Sequence, residues 1–290
     1  MEYALKLENV SKSYKDFTLD NINISLPYGS IMGFVGENGS GKTTTIKLIL
    51  DLIKRDSGII TILGQDNVDN KNIKQLKEHI GVVMDESCFP EMLTLMEVNK
   101  VLKNIYKTWD ERKFGTLAKQ FSLHKNKKIK DYSKGMKMKL SIAIALAHDA
   151  KILILDEATS GLDPLVRDEI LDVFRDFIQN DRHSIFMTSH IISDLEKICD
   201  YITLIHNGKI ILNKSTDELI DNYGILKCSE ADFKTITPTA VKGFRKNAFG
   251  VEALVIKKEI KGDFVVDKAS IENIMVYSIK EARCNESTNH

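Results

Sequence analysis

The sequence has 290 residues, of which 43% are hydrophobic and 28% charged, with Gly 16 and Pro 4. This excludes collagenous, mucin-like and disordered chains and leaves room for a main domain plus an appendage. Lys+Arg 41 and Asp+Glu 41 cancel to a formal net charge of zero, so no whole-chain attraction to nucleic acid or to an anionic bilayer is expected.

In chain order, Tyr3–Tyr14 mixes alternating and β-branched residues and Phe17–Leu26 alternates cleanly. Both predict strands of a half-buried antiparallel sheet, closed by the turn Pro27-Tyr28-Gly29. Ser30–Val35 is short and apolar, the habit of a central parallel strand, and it runs through glycine-rich sequence into a helix predicted over Lys42–Ile53. Further strands are predicted at 58–63 and 80–84. From about Glu86 to Asp149 apolar residues such as Leu95, Val98, Leu102 and Ile105 recur at helical spacing, which predicts a helical insertion. Strand patterns return at Lys151–Leu155, Ser184–Thr188, Tyr201–Ile205 and 209–214, with a helix over Pro164–Gln179. Past about residue 220, Leu254–Glu259 and Asp263–Val266 predict strands and Ser270–Ile279 a terminal helix. The expected organisation is one domain over 1–220 and a C-terminal extension over 221–290 that carries no recognisable motif.

Cys88, Cys199, Cys228 and Cys284 are far apart and form no CxxC pair, which argues against a zinc knuckle or a disulfide framework and suits a reducing cytosol. The N-terminus carries acids where a signal peptide has an apolar run. No stretch of about 18 consecutive apolar residues occurs. A soluble chain is expected, one that meets a membrane only through a partner.

Gly36-Glu37-Asn38-Gly39-Ser40-Gly41-Lys42-Thr43 fits G-x-x-x-x-G-K-[ST] in full, between a predicted strand and a predicted helix. Glycines let the backbone curl so that successive N–H groups point at phosphate oxygens, and the helix beginning near Lys42 turns its positive dipole end to the same anion. Lys42 can reach the β- and γ-phosphates and the Thr43 hydroxyl can ligate Mg²⁺; Thr44 belongs to the same phosphate-side set. Downstream, the apolar strand Ile152–Leu155 ends in Asp156 and Glu157. Asp156 would hold Mg²⁺ through water, and Glu157 would polarise the attacking water as general base. No N-K-x-D appears for a guanine base, since Asn213-Lys214-Ser215-Thr216-Asp217 has the wrong spacing.

In motif order as well as identity, residues 3–215 resemble the ATP-binding subunit of an ABC transporter. The resemblance implies an α/β P-loop NTPase: a RecA-like core with an antiparallel β subdomain and a helical insertion, followed here by a small α/β extension. It implies that Tyr14 stacks on adenine. It also implies that Asp85, where the family usually has a glutamine, joins core to helical region and touches Mg²⁺. Tyr132-Ser133-Lys134-Gly135-Met136 stands in place of the signature Leu-Ser-Gly-Gly-Gln, keeping the hydroxyl of Ser133 and the backbone N–H of Gly135, which with the start of a helix over 136–149 can clasp a γ-phosphate. Lys139 resembles the signature's trailing basic residue. Ser160-Gly161-Leu162-Asp163 resembles the loop that connects the two sites of the dimer, and His190 the switch histidine that touches the γ-phosphate and holds Glu157.

The resemblance further implies a head-to-tail dimer, of this chain with itself or with a related ATPase, around two ATP. It would drive a separate transmembrane permease from the cytoplasmic face of the cell membrane. A groove near Asp85 and Cys88–Leu95 would receive the permease, and the Ser-Lys-Gly-Met signature is similar to that of exporters of peptides, antimicrobials or lipids. Two alternatives stand beside this. One is a soluble ABC ATPase acting on ribosomes or nucleic acid, against which the length and zero net charge argue. The other is an ATP-binding partner with weak hydrolysis, which Glu157 and His190 oppose and the altered Asp85 and signature favour. No nucleic-acid partner is expected, and the basic run Lys125–Lys130 is read as a solvated surface.

Overall fold

A computed structural model describes residues 2–68, 73–85 and 90–288. The chain opens with β1 (Tyr3–Ser13), β2 (Thr18–Pro27) and β3 (Ile31–Gly36), then α1 (Lys42–Ile49), β4 (Ser57–Ile62), β5 (Gln65–Asp66), α2 (Ile73–Glu78) and β6 (Ile80–Val83). The helical insertion follows as α3 (Leu95–Ile105), α4 (Glu111–Gln120) and α5 (Lys134–Leu146). The main body resumes with β7 (Ile152–Asp156), α6 (Pro164–Phe177), β8 (Ser184–Thr188), α7 (Ile192–Ile198), β9 (Tyr201–His206) and β10 (Lys209–Ser215). The last part comprises α8 (Thr216–Asn222), β11 (Tyr223–Cys228), α9 (Glu230–Phe233), β12 (Val241–Asn247), β13 (Gly250–Ile256), β14 (Val266–Lys268) and α10 (Ile271–Thr288).

Three sheets result. The central one has the order β10-β9-β3-β8-β7-β6, parallel from β9 to β6 with β10 antiparallel at its edge. The second, β2-β1-β4-β5, is antiparallel, as is the third, β12-β13-β11-β14. Every residue of β7 and β8 is buried, as expected of parallel strands covered on both faces. One face packs on the helical insertion and α6, the other on α1 and the antiparallel sheet, where Phe34 and Phe186 meet at 5.3 Å between ring centroids. The strand order sets the carboxyl ends of β3, β7 and β8 side by side, with Asp156 opposite Thr188. This edge is where an open α/β sheet presents its ligand site.

The helix predicted over Lys42–Ile53 stops at Ile49. Asp51 takes a left-handed φ of 54°, while Leu52 N–H donates to Lys47 O at 2.9 Å and Asp51 N–H to Leu48 O at 3.1 Å. That pair of bonds is a Schellman stop, which satisfies the last carbonyls without a glycine. The helix expected from 136 begins at Lys134, because Ser133 accepts from Met136 N–H at 3.2 Å and caps it.

In the last part, β11 and β12 have no counterpart in the predicted strands, the strand predicted over 263–266 overlaps β14 only at Val266, and residues 257–259 form a 3₁₀ turn. The small sheet has its own apolar cluster of Leu226, Val251, Ala253 and Val255. Helix α10 runs past its predicted end at Ile279 and packs back on the main body. Its Ile271, Ile274, Met275 and Tyr277 join the large core with Leu195 and Leu219, and Ile271 N–H donates to Glu196 Oε1 at 2.6 Å. No disulfide joins the described cysteines; Cys199 is buried, which pushes its thiol pKa well up and makes it inert. Among the described residues, no helix is long and apolar enough to cross a membrane.

Candidate functional site

The loop between β3 and α1 is shaped by glycine at two positions. A Cβ at Gly36 would collide with the carbonyl oxygen of Ile205. Gly41 adopts φ 116° as the N-cap of α1, and a Cβ there would also press on Leu19 and Phe17. No side chain caps α1 and no acid lies in its first turn, so its leading N–H groups and positive dipole end are left for an anion. The hydroxyl of Ser40 is buried and has no hydrogen-bond partner among the described residues, a polar atom whose orphaning a bound oxyanion would relieve. Lys42 is largely buried and donates to Gly36 O at 2.7 Å and Glu37 O at 3.2 Å. Burial lowers its pKa, against the pull of Glu157 and Asp156. Lys42, Thr43 and Thr44 line one cavity of about 560 Å³ with Asn38, Asp156 and Glu157. Of the residues expected to serve phosphate, magnesium and the general base, Asn38, Gly39, Gly41, Lys42, Thr43, Thr44, Asp156 and Glu157 line this cavity, whereas Gly36, Glu37, Ser40 and Asp85 do not.

Burial raises the Asp156 carboxyl above the usual carboxylate range, reinforced by the charges of Glu157 and Asp85 and opposed by the hydroxyl of Thr188. That hydroxyl donates to Asp156 Oδ1 at 2.7 Å and accepts from Glu157 N–H at 3.0 Å, so Thr188 ties the two acids together. Sequence reasoning passed over it, although it stands next to Ser189-His190 at the end of β8. Glu157 holds a left-handed φ of 53°, a conformation that costs a non-glycine residue about 1 kcal/mol or more and that clusters at functional sites. His190 Nδ1 stands 2.6 Å from Glu157 Oε2, which also accepts from His190 N–H at 3.3 Å.

Ser133, Lys134, Gly135, Met136 and Lys139 line a second cavity of about 520 Å³, with Gly161 and Asp163 on its other wall. It shares no lining residue with the first. A Cβ at Gly135 would meet only ordinary contacts, the nearest being Val166 at 3.6 Å, so the chain's own packing does not require glycine there. Lys134 Nζ lies 3.5 Å from Asp85 Oδ1 and 3.0 Å from where a Cβ of Gly161 would sit. Asp163 accepts from Val166 N–H at 3.1 Å and caps α6, with Pro164 at the first helical turn. Lys139 pairs with Glu169 beneath this cavity.

Tyr14 does not line the phosphate-loop cavity: it is 48% exposed, with Lys12 Nζ 5.7 Å from its ring centroid. The aromatic that does line it is Phe17, beside Gly41, which sequence reasoning used only as the start of a strand. Glu37 turns away from Lys42's side of the loop; its carboxylate lies 3.1 Å from His206 Nδ1 and 2.5 Å from Arg283 Nη2 of α10.

Comparison with known proteins agrees with this geometry. The family model described as ABC transporter matches residues 19–160. An uncharacterized ABC transporter ATP-binding protein of Bacillus subtilis, YhcH, is 30% identical over 97% of this chain and 92% of its own length. The bacitracin transport ATP-binding protein BcrA of Enterococcus faecalis is 34% identical over 76% of this chain and 71% of its own. Among solved structures, an ATP-binding cassette captured as a dimer in a post-hydrolysis state with ADP and Pi superposes with a TM-score of 0.65. It is 25% identical and covers 73% of this chain and 98% of its own.

Proposed function

The chain belongs to the ABC transporter family as an ATP-binding subunit with ATPase activity, and we propose that it works as half of a head-to-tail dimer that closes on two ATP and drives a separate permease. The observation that carries this reading is the separation of the two cavities. One chain supplies Lys42, Thr43 and the α1 N-terminus to a triphosphate, while its Ser133 and Gly135 face outward with no internal reason for the glycine. A second subunit's nucleotide accounts for both. The partner is this chain again or a related ATPase, as the dimeric relative illustrates.

Within the closed dimer, Gly36–Thr44 cradle the phosphates and Lys42 exchanges its carbonyl acceptors for phosphate oxygens. Phe17, which lines the cavity, offers an apolar platform to the base. Glu157 takes the proton of the attacking water, held in aim by His190 and by the Thr188 link to Asp156. Ser133, the Gly135 N–H and the α5 N-terminus of the opposite subunit complete the stabilisation of developing charge, with Asp163 at the boundary between subunits. Hydrolysis is thereby gated by assembly. The donor set fits Mg²⁺: a carboxylate whose pKa is raised by burial and by neighbouring acids gains from a cation beside it. Thr43 and Asp156, with Asp85 nearby, would hold the ion, which when bound neutralises phosphate charge. Among the described residues no group of three or more His, Cys, Asp or Glu could hold a metal alone, so the ion would draw its remaining ligands from phosphate and water.

The permease is proposed to dock where the core meets the helical insertion. Of the groove expected near Asp85 and Cys88–Leu95, Cys88 and Phe89 lie outside the described residues. On the described side, Leu52, Ile73, Leu76, Val82, Met84 and Tyr106 line an apolar groove of about 330 Å³, of the kind a partner helix fills. The chain would thus sit at the cytoplasmic face of the cell membrane through its permease. Export of peptides or other amphipathic compounds is the transport class proposed, by analogy with the relative named for bacitracin transport. Affinity purification from detergent-solubilised host membranes tests the reading: a multi-spanning protein should co-elute in stoichiometric amount. Ribosomes or nucleic acid in its place would overturn it.

A further inference from the structure

A concavity of about 770 Å³ lies in the C-terminal part between α9, β12 and α10 and shares no lining residue with either ATPase cavity. Its volume is within the range of about 300–1,000 Å³ usual for small-molecule sites. Half-buried Phe233, Ile236 and Val241 form its apolar wall, and Phe233 meets Phe244 at 4.9 Å between ring centroids. The exposed cations Lys234, Lys280 and Arg283 stand around it. The acid among the lining residues, Glu281, is engaged by Lys242 at 3.4 Å. An apolar wall under a cationic rim is complementary to one kind of ligand, a chain of methylenes ending in an anion.

We infer that this groove binds a long-chain carboxylate, its tail along Phe233, Ile236 and Val241 and its head among Lys234, Lys280 and Arg283. A second copy of the chain fits worse, because a two-fold contact through this face would set these cations against one another. Arg283 also reaches Glu37, so the rim of the groove is in ionic contact with the phosphate loop.

The test is equilibrium titration of the full chain with dodecanoate below its micelle concentration, with 1-dodecanol as the uncharged probe of equal length. Saturable binding of dodecanoate is expected, with 1-dodecanol weaker by about tenfold or more, as the loss of a charge-assisted contact implies. Phe244→Glu and Lys280→Glu change exposed side chains and should each weaken dodecanoate by a similar factor with an unchanged melting temperature. Dodecanoate should also slow alkylation of Cys284, which lines the groove, as read by peptide mass spectrometry. Equal affinity for 1-dodecanol, binding indifferent to both variants, or unprotected Cys284 would overturn the assignment. So would failure of dodecanoate to saturate, or self-association of the chain that Phe244→Glu abolishes.

Discussion

Lys134 and Asp85 stand 3.5 Å apart, and each occupies a position where the ABC transporter family usually has an uncharged residue. By the resemblance to that family, Lys134 stands for the first glycine of the signature and Asp85 for the glutamine between core and helical insertion. Together they join the start of α5 to the segment just after β6. Two departures that look like separate defects in the sequence are a single ion pair in the folded chain.

This predicts non-additivity. Both side chains are about half exposed, so each single change should alter stability by less than about 1 kcal/mol. Asp85→Asn and Lys134→Gln should each change kcat for ATP, and the double variant should be no worse than the more affected single one. Steady-state hydrolysis of all four proteins measures this; simple addition of the two effects would mean that the pair does not act as a unit.

Glu157→Gln should lower kcat by about a hundredfold or more, the ordinary worth of a positioned general base, while ATP still binds. His190→Ala should lower kcat less, because the Thr188 link still holds the backbone of Glu157. Single-turnover hydrolysis alongside nucleotide binding separates the two steps. Unchanged turnover in Glu157→Gln would remove the base from this assignment and favour a subunit that hydrolyses weakly.

Asp156 carries a prediction about pH. Its folded pKa is raised, mainly by burial, so its protonated form stabilises the native state. That contribution is full below the ordinary carboxylate pKa and is lost as pH rises through the raised value. At pH 7, without nucleotide or metal, Asp156→Asn should therefore melt about 2 °C or more above the parent and lack this pH slope. With ATP and Mg²⁺ the order should reverse, since ligand binding stabilises the parent. Calorimetry across pH, with and without ligand, reads both.

Arg283 holds Glu37 of the phosphate loop from α10. Arg283→Ala should raise KM for ATP by about twofold to fivefold, the range of an exposed ion pair, with kcat little changed. A fall in kcat at constant KM would place the influence of α10 on closure instead.

The phosphate site was legible because its chemistry is fixed by local spacing: Gly36 to Thr43 has to be contiguous, and Asp156-Glu157 has to end a strand. The central strands were legible for a similar reason, since burial on both faces demands unbroken apolar runs such as Ile152–Leu155. The C-terminal part was not. β12 is largely exposed and has no alternation to read, and past Ile279 α10 pairs with residues distant in sequence, Glu281 with Lys242 and Arg283 with Glu37. The Lys134–Asp85 pair and the Thr188 bridge were equally out of reach, because the first depends on the packing of α5 on β6 and the second on the pairing of β7 with β8. Phe17 outranks Tyr14 at the cavity only because the turn after β1 points one aromatic inward and leaves the other in solvent.

The central claim is that each ATP site is built from Lys42 of one subunit and Ser133–Gly135 of the other. Mixing tests it most directly. Lys42→Ala and Gly135→Asp should each be inactive alone, the second while remaining folded, since a Cβ at Gly135 meets only ordinary contacts. In the mixed dimer one site regains an intact phosphate loop facing an intact signature, so ATPase activity should reappear on mixing and scale with the mixed population. Activity that stays absent at all ratios, while the two variants demonstrably associate, would contradict a site shared between subunits.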